Sequence, residues 1–180
     1  DSEVNVLAII NQFSRLRVEA VDPLVTMGVG EEMTVNFLVY NDGNAMDTFL
    51  LELEFMDELN DAGWVALMSP TKVQVESRGP PERVRITLEA PDDTTYLEGG
   101  TSTSNGTTEY WYSVGLKVTS EFSLRFEGVP NYQIETSVIT LQEYPEESGL
   151  ASVTEALPSL GAALTILTIL GVAVTTNRHH

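Results

Sequence analysis

Met33 to Met56 reads MTVNFLVYNDGNAMDTFLLELEFM. Met33–Asn41 has the character of a strand. Asn41-Asp42-Gly43-Asn44 is a turn signal, with Gly43 able to take a positive φ. Thr48–Met56 then resumes with period two, Leu51, Leu53 and Phe55 to one side and Glu52 and Glu54 to the other. Working back toward the N-terminus, Ser14–Asp22 alternates too: Leu16, Val18 and Ala20 oppose Arg15, Arg17 and Glu19. Asp22-Pro23 ends that run, Met27–Glu31 reads as a turn, and residues 1–13 form an N-terminal segment without a clear period. Working forward, Asp57–Gly63 reads as a polar loop, and Trp64 opens a short apolar piece, WVALM. Lys72–Glu76 and Arg83–Leu88 alternate, the latter with Val84, Ile86 and Leu88 inward. Residues 92–108 form a long polar loop of the kind that is usually mobile or functional. Tyr110–Thr119, Phe122–Phe126 and Gln133–Leu141 complete the extended stretches. Seven or eight short strands separated by turns, with no amphipathic helix among them, predict an all-β sandwich over residues 14–142.

Beyond it the composition changes. Residues 143–156 form an acidic stalk holding Glu143, Glu146, Glu147 and Glu155. No charge then falls between Glu155 and Arg178, a run of 22 residues. As a helix, roughly 20 residues cross a ~30 Å hydrocarbon core, so 157–177 is expected to be one transmembrane helix in contact with membrane lipid. Arg178, His179 and His180 form a basic tip, 178–180, and the positive-inside rule puts that tip in the cytoplasm. The sandwich is then held outside the cell by a single-pass anchor. The chain begins with Asp1, so export calls for a signal peptide already removed or for a longer chain upstream.

Charge and residue usage narrow the function classes. There are 27 Asp plus Glu against 9 Lys plus Arg, a formal net charge of −18. Such a surface repels nucleic acid and anionic lipid heads, and it suits salty water. There is no cysteine, which removes thiol catalysis and thiolate metal sites. The only histidines are His179 and His180, so a histidine-based triad or zinc site has no residues in the sandwich. No catalytic residue is singled out, and the chain reads as a non-enzyme.

Three places have the residue types of a ligand or modification site. Asn41, Asp42, Asn44 and Asp47 crowd oxygen atoms around one turn, the ligand type calcium prefers. Their spacing is not that of a twelve-residue calcium loop, and a hydrogen-bonded Asx turn accounts for the same residues. Trp111 and Tyr112, with Trp64 and Tyr110, have the rings of a sugar-stacking platform. Trp111 and Tyr112 fall on opposite faces of one strand, and Trp64 has the character of a core residue. Asn105-Gly106-Thr107 is the one N-x-[ST] sequon, in the most polar loop, so Asn105 is the expected glycosylation site. No cofactor other than calcium is suggested.

The order of short motifs resembles a known family. Gly30-Glu31 leads to Val39-Tyr40-Asn41-Asp42-Gly43-Asn44, then Asp47-Thr48-Phe49, Gly63-Trp64, Val84 to Pro91, and a tyrosine-containing strand ending in Thr119-Ser120. This is similar to the immunoglobulin-like CARDB domains and to sandwich domains attached to secreted glycosidases, over about residues 14–142. Val29 stands where the family has Pro, and the 92–108 loop displaces the glycine after its last proline. The tail around Pro158-Ser159-Leu160-Gly161 is similar to the C-termini of archaeal surface proteins, with Ser for Gly and Leu for Phe in their tripeptide. The resemblance implies a non-catalytic immunoglobulin-like module, structural or adhesive, whose partner is a protein or glycan at the cell surface. The alternative it carries is a carbohydrate-binding accessory module of a surface glycoside hydrolase system.

Overall fold

A computed structural model describes residues 10–145. The expected transmembrane helix 157–177, the basic tip, most of the acidic stalk and residues 1–9 lie outside the described residues. Among those described, no helix is long and apolar enough to cross a membrane.

The strands are β1 (Leu16–Ala20), β2 (Leu24–Gly28), β3 (Glu32–Asn41), β4 (Asp47–Glu54), β5 (Val65–Ser69), β6 (Lys72–Val75), β7 (Glu82–Glu89), β8 (Thr101–Ser102), β9 (Thr108–Ser120) and β10 (Tyr132–Glu143). They build two sheets. The first has the order β1-β3-β7-β5, antiparallel throughout. The second has the order β2-β10-β9-β4-β6, with β8 also on β9; only β2 and β10 run parallel. The alternating side chains of both sheets close one core: Val35, Phe37 and Val39 from β3 and Val84, Ile86 and Leu88 from β7 meet Phe49, Leu116, Ile139 and Leu141 of the other sheet. The long alternations dictate this, because one face of each sheet must be removed from water.

At each side of the sandwich the chain passes from one sheet to the other. Asp22-Pro23 does not end the first strand for good: proline has no N–H for the ladder, and the chain resumes as β2 on the second sheet. Leu24–Gly28 is therefore a strand where the sequence suggests the approach to a turn, and Met27 is buried. The turn itself is at Val29-Gly30, with Gly30 at φ 69. On the other side β5 closes the first sheet and β6, beyond Pro70, closes the second.

Two further expectations are corrected. Asp57–Gly63 is not a polar loop: Met56–Asp61 is a helix, α1. Phe55 takes φ 65 and turns the chain out of β4, Asp57 and Glu58 sit at the positive end of the helix dipole, and buried Leu59 pins it to the core. The turn also takes Phe55 away from the inward row of Leu51 and Leu53, and its ring lies against Gly115 of β9, where a Cβ would come within 2.9 Å of it. Phe122–Phe126 is not extended either. Ser123–Glu127 is a π-helical turn, tied by the Ser123 hydroxyl, which donates to Ser120 O and accepts from Asn131 N, each at 2.8 Å.

Candidate functional site

The sequence places most oxygen at the Asn41–Asp47 turn. Asn41 is buried. Its Nδ2 donates to Ala45 O at 2.9 Å and Val75 O at 2.8 Å, while its Oδ1 accepts from Gly43 N at 2.9 Å. Asn44 Oδ1 accepts from Phe13 N at 2.9 Å and its Nδ2 donates to Asn11 O at 3.0 Å. Asp42 lies 3.5 Å from Arg17 Nε. Asp47, 7 % exposed, accepts from Thr48 N at 2.7 Å, from Phe122 N at 3.2 Å and from the Ser120 hydroxyl. Each of the four side chains has its own protein partners. They lock the β3–β4 connection to the N-terminal segment, to β6 and to the end of β9. Among the described residues no group of three or more His, Cys, Asp or Glu is placed to hold a metal ion.

The rings of β9 are placed differently. The pairing of β4 with β9 stops at Glu54 opposite Gly115, because Phe55 has turned away, and β8 pairs only with Thr108 and Glu109. Among the described residues, the Tyr110–Val114 stretch of β9 therefore has one flank without a strand neighbour. Helix α1 and the 94–99 loop border that flank and leave a shallow cleft of about 370 Å³. Trp111 and Tyr112 both border it, although they point to opposite faces of β9, together with Tyr96, Glu58, Asp61 and Glu98. Trp111 is 59 % exposed and Tyr96 51 % exposed.

The cleft has a packed aromatic floor. Tyr112 packs edge-on against Trp64, with ring centroids 5.4 Å apart and planes at 63°. Trp64 is 2 % exposed, as its core character requires, and its indole Nε1 has no hydrogen-bond partner among the described residues. Tyr96 Oη donates to Ala62 O at 3.4 Å, and it can come so near only because Gly63 (φ 75) has no Cβ, which would lie 2.3 Å from that oxygen. Burial raises the Tyr112 phenol above its ordinary pKa, with Tyr110 and Tyr96 adding to the effect. All three charged side chains of the lining are carboxylates, so the cleft is aromatic and electronegative.

Asn105 sits exposed in the Thr103–Thr107 turn of the β8–β9 hairpin, its Oδ1 accepting from Thr107 N at 3.3 Å and from the Thr103 hydroxyl. A second depression, about 440 Å³, lies on the outward face of the second sheet between Leu50, Leu124 and Tyr132. Its one cation, Lys117, is held by Glu52 at 2.7 Å and Glu54 at 3.8 Å and lies 5.9 Å from the centre of the Tyr132 ring. Its charged groups are thus engaged with each other, unlike those of the cleft.

Of the sequence candidates, Trp111 and Tyr112 come together at one cleft, and Asn41, Asp42, Asn44 and Asp47 are each engaged with protein partners. Tyr96, Glu58, Asp61 and Glu98 carried no individual signal. The length and polarity of the 92–108 loop is the one feature that pointed toward two of them.

No family model and no curated protein matches this chain. Among solved structures, the ASH/PapD-like domain 7 of human CEP192 is similar at 14 % identity and TM-score 0.40, with 81 % of this chain and all of that one covered. The E. coli chaperone DraB is similar at 15 % identity and TM-score 0.33, with 73 % of this chain and 56 % of that one covered. The fold assignment rests on the sheets themselves. Strand orders β1-β3-β7-β5 and β2-β10-β9-β4-β6, with the first strand split between them, follow the A-B-E-D and G-F-C arrangement of an immunoglobulin-like sandwich, with β6 added beyond the C position.

Proposed function

We propose that this chain is a non-catalytic, adhesion-type domain displayed at a cell surface, and that the cleft beside Trp111 is its glycan-binding site. The observation that carries the reading is the pair of exposed rings, Trp111 and Tyr96, set beside three carboxylates on a floor fixed by Tyr112 and Trp64. Exposed rings offer the apolar faces on which a pyranose stacks, and carboxylates accept hydrogen bonds from its hydroxyls. With no Lys or Arg in the lining, uronic or sulfated sugars are repelled, and neutral or amino sugars are the matching class.

The finer parts of the proposal rest on sequence. The domain is of CARDB type, and the chain is an archaeal surface protein anchored by the helix 157–177, with its C-terminus in the cytoplasm. Protease added to intact cells should remove residues 14–142 and leave the C-terminal tip protected; a protected sandwich would overturn that orientation. Glycan binding is tested on an array of neutral, amino and acidic oligosaccharides with the full chain in detergent. The expected result is binding to neutral or amino sugars that weakens at least about fivefold in Trp111→Ala, since stacking on an aromatic ring is worth roughly 1–3 kcal/mol. An array without signal, or a Trp111→Ala variant that binds as well as the parent, sinks the reading. The same cleft also suits an accessory module of a surface glycoside hydrolase. A catalytic domain encoded upstream in the same chain would decide for that role.

A further inference from the structure

The lateral edges of the two sheets are guarded unequally. Exposed edge strands offer unpaired N–H and C=O groups to any passing strand, and folded proteins usually blunt them with charge, proline or cover. Edge strand β1 carries Arg17 and Glu19, paired with each other, and β6 carries Lys72. Edge strand β2 has no charge of its own, but Glu31 Oε2 accepts from Gly28 N at 2.7 Å, and Asp22 and Glu31 flank its two ends with like charge. Edge strand β5, VALMS, has no charge and no proline within it, and among the described residues it pairs only with β7. Its outward side chains are apolar and open to water: Val65 is 47 % exposed and Leu67 66 % exposed.

The flanks of β5 are self-complementary. Val65 lies beside Glu89 of β7 at one end and Ser69 lies beside Arg85 at the other. Among the described residues Arg85 and its neighbour Arg83 are in no ion pair, in a chain with 27 carboxylates. A two-fold axis through Leu67 sets two β5 strands antiparallel, with Leu67 opposite Leu67 of the other copy and Val65 opposite Ser69. Each cross-strand row then runs Glu89, Val65, Ser69, Arg85. The carboxylate of one copy and the guanidinium of the other end about 14 Å apart at their Cα atoms, three strand spacings. A parallel pairing would put Glu89 against Glu89 and Arg85 against Arg85.

We infer that β5 is an interface for a second copy of this chain, joining two first sheets into one continuous eight-stranded sheet. A five-residue edge pair is small, so covalent trapping in the full chain is the suitable readout, and the absence of native cysteine makes it clean. Residues directly opposite in an antiparallel pair have Cβ atoms about 4.5–5.5 Å apart, within thermal reach of a disulfide. Under mild oxidation in detergent, Leu67→Cys should give a covalent dimer. Val65→Cys alone and Ser69→Cys alone should not, because each residue lies about 13 Å along the strand from its own copy. A mixture of Val65→Cys and Ser69→Cys chains should cross-link, and adding Leu67→Lys to both should cut that yield at least about tenfold. Cross-linking of Leu67→Cys no faster than of Val65→Cys alone would overturn the inference. So would a mixture that yields no more than its components, the pattern expected if the apolar C-terminal stretch alone brought copies together.

Discussion

The Asn41–Asp47 turn and the Trp111 cleft both carry the residue types of a binding site, and they are built in opposite ways. In the turn, the side-chain oxygens of Asn41, Asn44 and Asp47 accept protein donors, and both side-chain amides donate to backbone carbonyls. At the cleft, Trp111 and Tyr96 keep half or more of their surface in water, and Glu58, Asp61 and Glu98 are exposed. A polar group buried among protein partners contributes to folding, whereas one left open is available to a ligand. Residue type alone does not separate these cases; the partners do.

The largest effect expected from that comparison is on stability. Asp47→Ala leaves the donors of Thr48, Ser120 and Phe122 without their acceptor at a site that is mostly buried. The loss should be about 2–4 kcal/mol. Trp111→Ala removes a ring that is mostly in water, and its stability should stay within about 0.5 kcal/mol of the parent. Urea unfolding of both variants checks the contrast. Equal losses would mean that Trp111 is a packing residue and that the cleft is not an open site.

A smaller effect is expected in alkali. The folded state holds the Tyr112 phenol above its ordinary pKa of 10.0, chiefly by burial, and holds Tyr110 above it in the same sense, by burial and then by Glu143. The folded chain keeps these protons to higher pH than the unfolded chain does. Their contribution is therefore fully present below pH 10.0 and is lost as the pH rises through the folded values. Melting temperature should fall above that point, and Tyr112→Phe should fall less steeply. A variant as steep as the parent would show that Tyr112 is not the group being desolvated.

Much of this arrangement was legible in the chain. The alternation of Val84, Ile86 and Leu88, and that of Leu51 and Leu53, needs only period two, and β7 and β4 follow from it. The core position of Trp64 follows from its short apolar run. Strand β2 was hidden because LVTMG is too short to show a period and because proline before it reads as an end. Helix α1 was hidden because a six-residue helix shows less than two turns of pattern and its sequence, MDELND, is polar apart from Met56 and Leu59. The cleft was half legible. Trp111 and Tyr112 are neighbours in sequence, but Glu58 and Tyr96 reach them only through the departure of Phe55 from β4, a single backbone conformation that no composition reveals.

The smallest expected effect belongs to the turn and tests the comparison from its other side. Calcium takes six to eight oxygen ligands at about 2.3–2.6 Å and tolerates irregular geometry, whereas magnesium demands a tight octahedron. To bind either, Asn41 and Asp47 would have to turn oxygens that now accept from Gly43 N, Thr48 N, the Ser120 hydroxyl and Phe122 N, breaking some of these bonds. Each released donor in this buried place costs about 1–3 kcal/mol. Asp42 alone is free to turn, from a partly exposed contact with Arg17, and one carboxylate does not make a site. Millimolar calcium and millimolar magnesium should therefore raise the melting temperature alike, by screening the same negative surface. A gain seen with calcium alone, and removed by Asp42→Asn, would show that the turn can open around the ion.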